Sequence, residues 1–295
     1  FDPWDGESTM LYDFETGTAT NLGTGTLGVL SADSRFMAWT ADWERARVIE
    51  LATGRRWDLG PARYVWWADA DTINTDQPSS NRVVSIDVLT GERRDGQRPG
   101  EQGLLVEGGY RLLRRGGGSV ESTNYVVIRE DGERVRYFDA LKAVAAGPGE
   151  VGVATKPVDG ITSIYLMDIE SGEVTFVATS SFGQWNWPLA ASADYVAWTD
   201  AYCGDPAGKT RILDRTTGRI TELDATLWVD GFTPDGLLAV GAFGPDALLD
   251  PATGEVKAAL PGWTPEHGPA DSTWSPDYRY ASLGQFGGHG GLCGA

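Results

Sequence analysis

Few residues in this chain have the types and spacing that chemistry needs. Of its 295 residues only two are histidines, His267 and His289. His289 lies in the flexible run Gly287-Gly-His-Gly-Gly291, where a lone imidazole makes a poor metal or acid–base site. There is no Gly-x-Ser-x-Gly elbow to present a serine nucleophile. The His-Glu-x-x-His zinc pattern, the phosphate-binding loop and the dinucleotide fingerprint are missing too. No catalytic residue is assigned. Asp69, Asp71 and Asp76 are clustered carboxylates, and oxygen ligands at close spacing suit calcium, the one cofactor the sequence suggests. Their order lacks the ligand pattern and glycine of an EF-hand loop, so capping of a turn is the simpler role.

Binding groups are more plentiful. The twelve tryptophans include Trp43, Trp185, Trp187 and Trp263, which fall in or beside expected loops and are candidates for an aromatic platform or a protein anchor. Asp42, Glu44, Tyr202, Gln285 and His289 complete the candidate set. Trp39 and Trp198 sit inside apolar strand phrases and are expected in the core. The formal charge of −18 argues against nucleic acid and anionic membrane surfaces, since both are bound through Lys and Arg. No run of ~18 apolar residues is present to span a bilayer. The chain begins at Phe1 without a charged and apolar leader, and is read as a processed chain or a trimmed fragment.

The elements that must position these residues follow from an internal repeat. An apolar strand end, an acid, two variable residues, Thr or Ser, and Gly recur in Tyr12–Gly17, Ile49–Gly54, Ile86–Gly91, Met167–Gly172, Leu213–Gly218 and Leu249–Gly254, with a degenerate copy ending at Gly132. The glycines are 36 to 46 residues apart. A period near forty signals a propeller with four strands per blade. Gly supplies the positive φ of a tight hairpin, read here as a two-residue turn, and the acid caps it. Asp13, Asp87, Asp168, Asp214 and Asp250 are therefore structural. A second phrase, Ser31–Trp39, recurs at Ser192–Trp198, Thr233–Val240 and Ser275–Ala281, with weaker versions at Ala68–Thr72 and Gly147–Ala154. It reads as the hairpin joining a blade's first two strands.

These Ser-Pro-Asp-Gly-like turns, each followed by a short apolar strand, resemble the TolB-type propellers over almost the whole chain. The fold expected is an all-β, seven-bladed β-propeller with four antiparallel strands per blade, forming one domain over 1–295. Blades are expected at 27–60, 63–96, 102–138, 143–179, 184–223 and 225–260. After a lead-in over 1–9, segments 10–22 and 265–295 would share the closing blade. Six or eight blades follow if the stretch near Gly116–Thr123 is misread.

Both repeat phrases mark one face. The other carries the loops Ala41–Arg45, Asn74–Asn81, Arg114–Asn124, Lys156–Ile161 and Asp200–Lys209 and the tail Phe286–Ala295, where partners are expected to dock. Cys203 and Cys293 both fall on that face and are expected to form a disulfide, which needs an oxidising compartment. The TolB resemblance implies an extracytoplasmic, non-enzymatic scaffold for a protein partner. The alternative is a glycan-binding lectin, or a polysaccharide lyase or glycosidase acting at the channel mouth; two histidines near one end argue against the enzyme.

Overall fold

The structure is a computed structural model. It describes residues 8–26, 28–31, 33–42, 44–76, 82–96, 103–106, 108–115, 123–129, 131–181, 189–200, 208–223, 227–241, 246–260, 271–275 and 279–284. All elements among them are strands, arranged in seven four-stranded antiparallel sheets.

The chain divides into two compact units, one built from 1–99 with 268–295 and the other from 100–267. In the first, β1 (Ser8–Asp13) and β2 (Thr18–Thr24) are followed by the meanders β3 (Val29–Leu30), β4 (Phe36–Ala41), β5 (Arg45–Glu50), β6 (Arg56–Pro61) and β7 (Val65–Trp67), β8 (Thr72–Asp76), β9 (Val83–Asp87), β10 (Arg93–Asp95). The second holds β11 (Gly103–Val106), β12 (Tyr110–Arg115), β13 (Thr123–Arg129), β14 (Arg134–Ala140); β15 (Lys142–Gly147), β16 (Glu150–Ala154), β17 (Thr162–Asp168), β18 (Val174–Ser180); β19 (Leu189–Ala191), β20 (Tyr195–Thr199), β21 (Thr210–Asp214), β22 (Ile220–Leu223); and β23 (Trp228–Phe232), β24 (Leu238–Gly241), β25 (Ala247–Leu249), β26 (Val256–Ala259). The chain then returns to the first unit as β27 (Asp271–Trp274) and β28 (Tyr280–Gly284), which complete the sheet β2-β1-β28-β27. Every expected blade range coincides with one sheet to within a few residues. The sheet β11–β14 has four strands, and residues 116–122 between β12 and β13 lie outside the described residues.

Within each unit, neighbouring sheets pack face to face through apolar side chains. Phe36, Val48, Trp67, Ile73 and Ile86 fill the space between β3–β6 and β7–β10, with the Phe36 and Trp67 rings stacked at 6.0 Å. Leu11, Leu22, Met37, Trp39 and Tyr280 fill the next. In the second unit Val127, Val151 and Ile169, then Ile164, Leu189 and Trp198, then Ile212, Val229 and Val240 do the same. Trp39 and Trp198 are fully buried, as expected. Burying each such large side chain contributes on the order of 2 kcal/mol.

Two expectations need correction. The repeat hairpins contain four residues, not two: Asp13 pairs with Thr18, leaving Phe14–Gly17 as the loop. The expected loop over Asn74–Asn81 begins later, because β8 continues to Asp76. Its polar residues are strand residues with buried partners: Asn74 and Thr75 are buried, and the Ser85 hydroxyl on β9 donates to the Asn74 side-chain oxygen at 2.5 Å.

Candidate functional site

Each sheet has a turn end and a loop end. At the turn end, the glycines of the six regular copies have φ between 66° and 76°, and the Gly N–H reaches back to the acid's carbonyl, as from Gly172 to Asp168 at 2.9 Å. The acid's carboxylate accepts main-chain N–H groups two and three residues on, as Asp214 does from Thr216 (2.8 Å) and Thr217 (2.9 Å). These bonds hold the Asp87, Asp168 and Asp214 carboxyls below their ordinary pKa, the N–H groups of Thr90, Ser171 and Thr217 being the largest cause. The recurring Thr or Ser then accepts the N–H beyond the glycine, as Thr217 does from Arg219 at 3.3 Å. In the second phrase a hydroxyl closes the hairpin: Ser192 accepts from Tyr195 N–H, Thr233 from Leu237 and Ser275 from Tyr280.

The two turns of a sheet are also tied together. The N–H of the residue after the repeat acid donates to a carbonyl of the other turn: Phe14 to Arg279, Leu51 to Arg35, Val88 to Asp71, Ile169 to Gly149 and Arg215 to Asp194, all at 2.8–2.9 Å. In the copy at Asp250 the following residue is Pro251, which has no N–H to give. Arginines bridge adjacent sheets at this end. Arg215 donates to the carbonyls of Ala146 (2.9 Å) and Ser192 (2.7 Å) and to Glu150 (2.7 Å), and Arg136 donates to those of Ile169 and Glu170. The repeated polar groups of this end are occupied in holding the fold.

Alternation of strand direction puts the remaining connections at the loop end. Asp42 and Glu44 project there from the β4–β5 connection and are exposed. Asp42 has φ 51°, accepts from the Thr24 hydroxyl and lies 3.8 Å from Arg47. In the second unit the β16–β17 connection holds a tight hairpin. Val158 and Ile161 exchange both main-chain bonds at 2.9 Å across Asp159-Gly160, whose φ values are 52° and 79°. It displays two exposed apolar side chains, Val158 at 73% and Ile161 at 50%. Trp43, Trp185, Trp187, Tyr202, Trp263, Gln285 and His289 lie outside the described residues, as do His267, Cys203 and Cys293.

The three carboxylates read as calcium candidates are not brought together. Asp69 caps the β7–β8 turn by accepting the N–H of Asp71 (3.0 Å) and Thr72 (2.7 Å). Asp71 is ion-paired with Arg35 of the neighbouring sheet. Asp76 stands at the far end of β8, about 16 Å along the strand from the turn at ~3.3 Å per residue. No group of three side chains suited to a metal occurs among the described residues.

Asp230 was not singled out by the sequence. β23 is an edge strand of its sheet, and its ladder with β24 steps from Val229↔Val240 to Gly231↔Ala239, leaving Asp230 as the extra residue of a bulge. Val229 is buried, while Trp228 is half-buried and Asp230 reaches solvent. Desolvation pushes its pKa up, against a smaller opposite pull from the Lys142 ammonium on β15. The signal available in the sequence was an acid followed by Gly inside an apolar strand, Leu227-Trp-Val-Asp-Gly-Phe232.

No protein-family model matches the sequence, and no curated protein matches it either. Solved structures do. The β-propeller domain of the Trilobed protease from Pyrococcus furiosus, described as having an open velcro topology, is 15% identical with a TM-score of 0.50, covering 85% of this chain and 88% of its own. The chain has a β-propeller fold. An uncharacterised protein from Listeria monocytogenes is similar with a TM-score of 0.55 at 11% identity, over 88% of this chain and 94% of that one. A putative TolB from Agrobacterium tumefaciens covers 94% of this chain and 96% of its own, at 11% identity and a TM-score of 0.43. The sheets are thus blades, and β11, β15, β19 and β23 are the first strands of theirs. No described helix is long and apolar enough to cross a membrane.

Proposed function

We propose that the seven sheets are the blades of one closed propeller spanning 1–295, and that this propeller is an extracytoplasmic, non-enzymatic module that holds a protein partner on its loop end. The observation that carries the reading is the division of labour between the two ends. Turn-end carboxylates, hydroxyls and arginines are committed to main-chain and inter-blade bonds, as the Asp214, Thr217 and Arg215 contacts illustrate. The loop end carries connections of varied length and composition, including the exposed Asp42 and Glu44 and the Val158–Ile161 hairpin. Aromatic and apolar anchors ringed by polar groups form the usual centre of a protein interface. The charge of −18 favours a partner with basic patches. Closure rests on the sheet β2-β1-β28-β27, in which the first and last strands pair.

Hydrogen exchange of the chain with and without the partner that co-purifies with it tests the assignment of ends. Protection is expected over 155–161 and beside Asp42, and none at 88–91 or 169–172; the reverse pattern overturns it. The compartment is tested separately by counting thiols in natively purified protein. A Cys203–Cys293 bridge leaves none free, and two free thiols contradict both the bridge and the oxidising compartment.

A further inference from the structure

The sheet β15–β18 has two edges. β15 lies against β11 and β19, and β18 is the other edge. The remaining sheets also end on their fourth strands, and most of those edges carry a safeguard against further pairing. β6, β10, β14, β22 and β26 each hold at least one Arg, Lys, Asp or Glu, and β2 exposes threonine and asparagine around the buried Leu22. β18, Val-Thr-Phe-Val-Ala-Thr-Ser, holds neither charge nor proline. Its first four residues are strong strand formers. Val174 and Phe176 are 58% and 57% exposed. The register fixes which way the main chain faces. Asp168 N–H donates to the Glu173 carbonyl at 3.0 Å, and bonded and non-bonded pairs alternate along an antiparallel ladder. Glu173 and Thr175 thus turn their main-chain groups toward β17, and Val174 and Phe176 turn theirs outward. The bulge in this ladder lies beyond Phe176, so the alternation holds over 173–176. Among the described residues, no main-chain group outside the sheet bonds to Val174 or Phe176. The two residues with outward main-chain groups are therefore the two with exposed apolar side chains.

We propose that β18 is a self-association edge, at which two copies of this chain pair antiparallel about a two-fold axis at Thr175. In that register Val174 of one copy faces Phe176 of the other, and each such pair exchanges both main-chain hydrogen bonds. The side chains match as well. On one face valine meets phenylalanine across the strands, flanked by Tyr165, whose ring lies edge-on 5.7 Å from that of Phe176. On the other face Thr175 meets its own copy. Both kinds of cross-strand pair stabilise a sheet. Charge favours a second copy here. The net charge of −18 sets copies against each other, and this edge opposes no like charges. Glu173 falls opposite Val177, so the two Glu173 positions stand about 13 Å apart along the strands at ~3.3 Å per residue, beyond the ~8 Å screening length of physiological salt. A charged partner strand finds nothing on β18 to pair with. The edge is separate from the loop-end connections and does not rest on the function proposed above.

The test is sedimentation velocity of the full chain over a concentration series, in low and in high salt. A single strand pair is a small interface of the transient class, so a reversible monomer–dimer equilibrium is expected at high micromolar concentration. Dimer should increase as added salt screens the repulsion between two acidic copies. Phe176→Lys should weaken association by about tenfold or more. Val174→Pro removes an outward N–H without breaking a bond to β17 and should do the same. Ile220→Lys, the matching change at an exposed apolar residue of the edge β22, should leave association unaltered. Melting temperatures measured beside the masses identify any variant that fails to fold. Thr175→Cys reads the register directly. A non-bonded pair sets its Cα atoms about 4.5 Å apart, within the span of a disulfide, so mild oxidation should join two copies at that position. Peptide mapping locates the link, and Thr179→Cys should not form one. The proposal is overturned if the chain stays monomeric at every concentration and salt, if salt weakens the dimer, if Ile220→Lys disrupts it as Phe176→Lys does, if a folded Phe176→Lys variant dimerises like wild type, or if the Thr175→Cys link does not form. A monomeric chain whose β18 amides are protected by a co-purifying protein also overturns it and gives the edge to that partner.

Discussion

Tyr12, on the first strand, lies directly opposite Ala281, on the last, in antiparallel register. One sheet is therefore assembled from the two extremes of the chain, and Leu11 and Leu22 of its N-terminal half pack with Met37, Trp39 and Tyr280. Deleting 1–24 strips β28 of one neighbour and removes both leucines from that core, each costing about 2–5 kcal/mol on the scale of Leu→Ala changes. Calorimetry should show loss of the cooperative transition or a melting temperature lowered by more than about 10 °C. An unchanged transition contradicts the shared sheet.

Arg215→Ala should destabilise by about 2–3 kcal/mol, because it strands Glu150 and the carbonyls of Ala146 and Ser192 in the partly buried seam between two blades. Arg215→Lys should recover less than half of that, since one ammonium cannot reproduce the forked geometry. Urea unfolding measures both.

The fold was legible in the sequence because its signals are local. The carboxylate, hydroxyl and glycine of each repeat turn satisfy one another within a few residues, as Asp214, Thr217 and Gly218 do, so their spacing exposes the hairpins without tertiary information. The length of β8 was not legible, since Asn74 and Thr75 look like loop residues until Ser85 and the buried setting are known. The Asp230 bulge was hidden for a related reason. It is a property of the register between β23 and β24, which no single strand encodes. The Arg215 clasp likewise joins residues from two blades. Asp42 and Glu44 are exposed in the β4–β5 connection, and Asp69 accepts the N–H of Asp71.

Acid should weaken the turns. The folded-state pKa values of Asp87, Asp168 and Asp214 are lowered, so their stabilisation is present above the ordinary carboxyl pKa and is lost as pH falls through the folded values. These groups are exposed, and solvent screening keeps each effect small. The triple change Asp87→Ala, Asp168→Ala and Asp214→Ala should lower the melting temperature at neutral pH, and the gap from wild type should close in strong acid. A gap that persists in acid would show that the carboxylate charge is not what holds the turns.

Asp230 has the opposite sign. Its folded pKa is raised, so the unfolded chain ionises first and stability falls as pH climbs from the ordinary carboxyl pKa to the folded value. Asp230→Asn should therefore melt higher than wild type at neutral pH and match it in acid. A variant that melts lower at neutral pH contradicts the raised carboxyl pKa.

The proposed function is tested most directly by the affinity of the co-purifying partner for two double variants, measured at equilibrium beside their melting temperatures. Trp43→Ala with Tyr202→Ala changes two residues the sequence places in loop-end connections, and Glu92→Lys with Glu173→Lys reverses charge at the turn end. Loop-end docking predicts that the first pair weakens binding at least tenfold, about 1.4 kcal/mol or more, with little change in melting temperature, while the second pair binds like wild type. Loss of binding in the second pair with retention in the first would place the partner on the turn end and contradict the account.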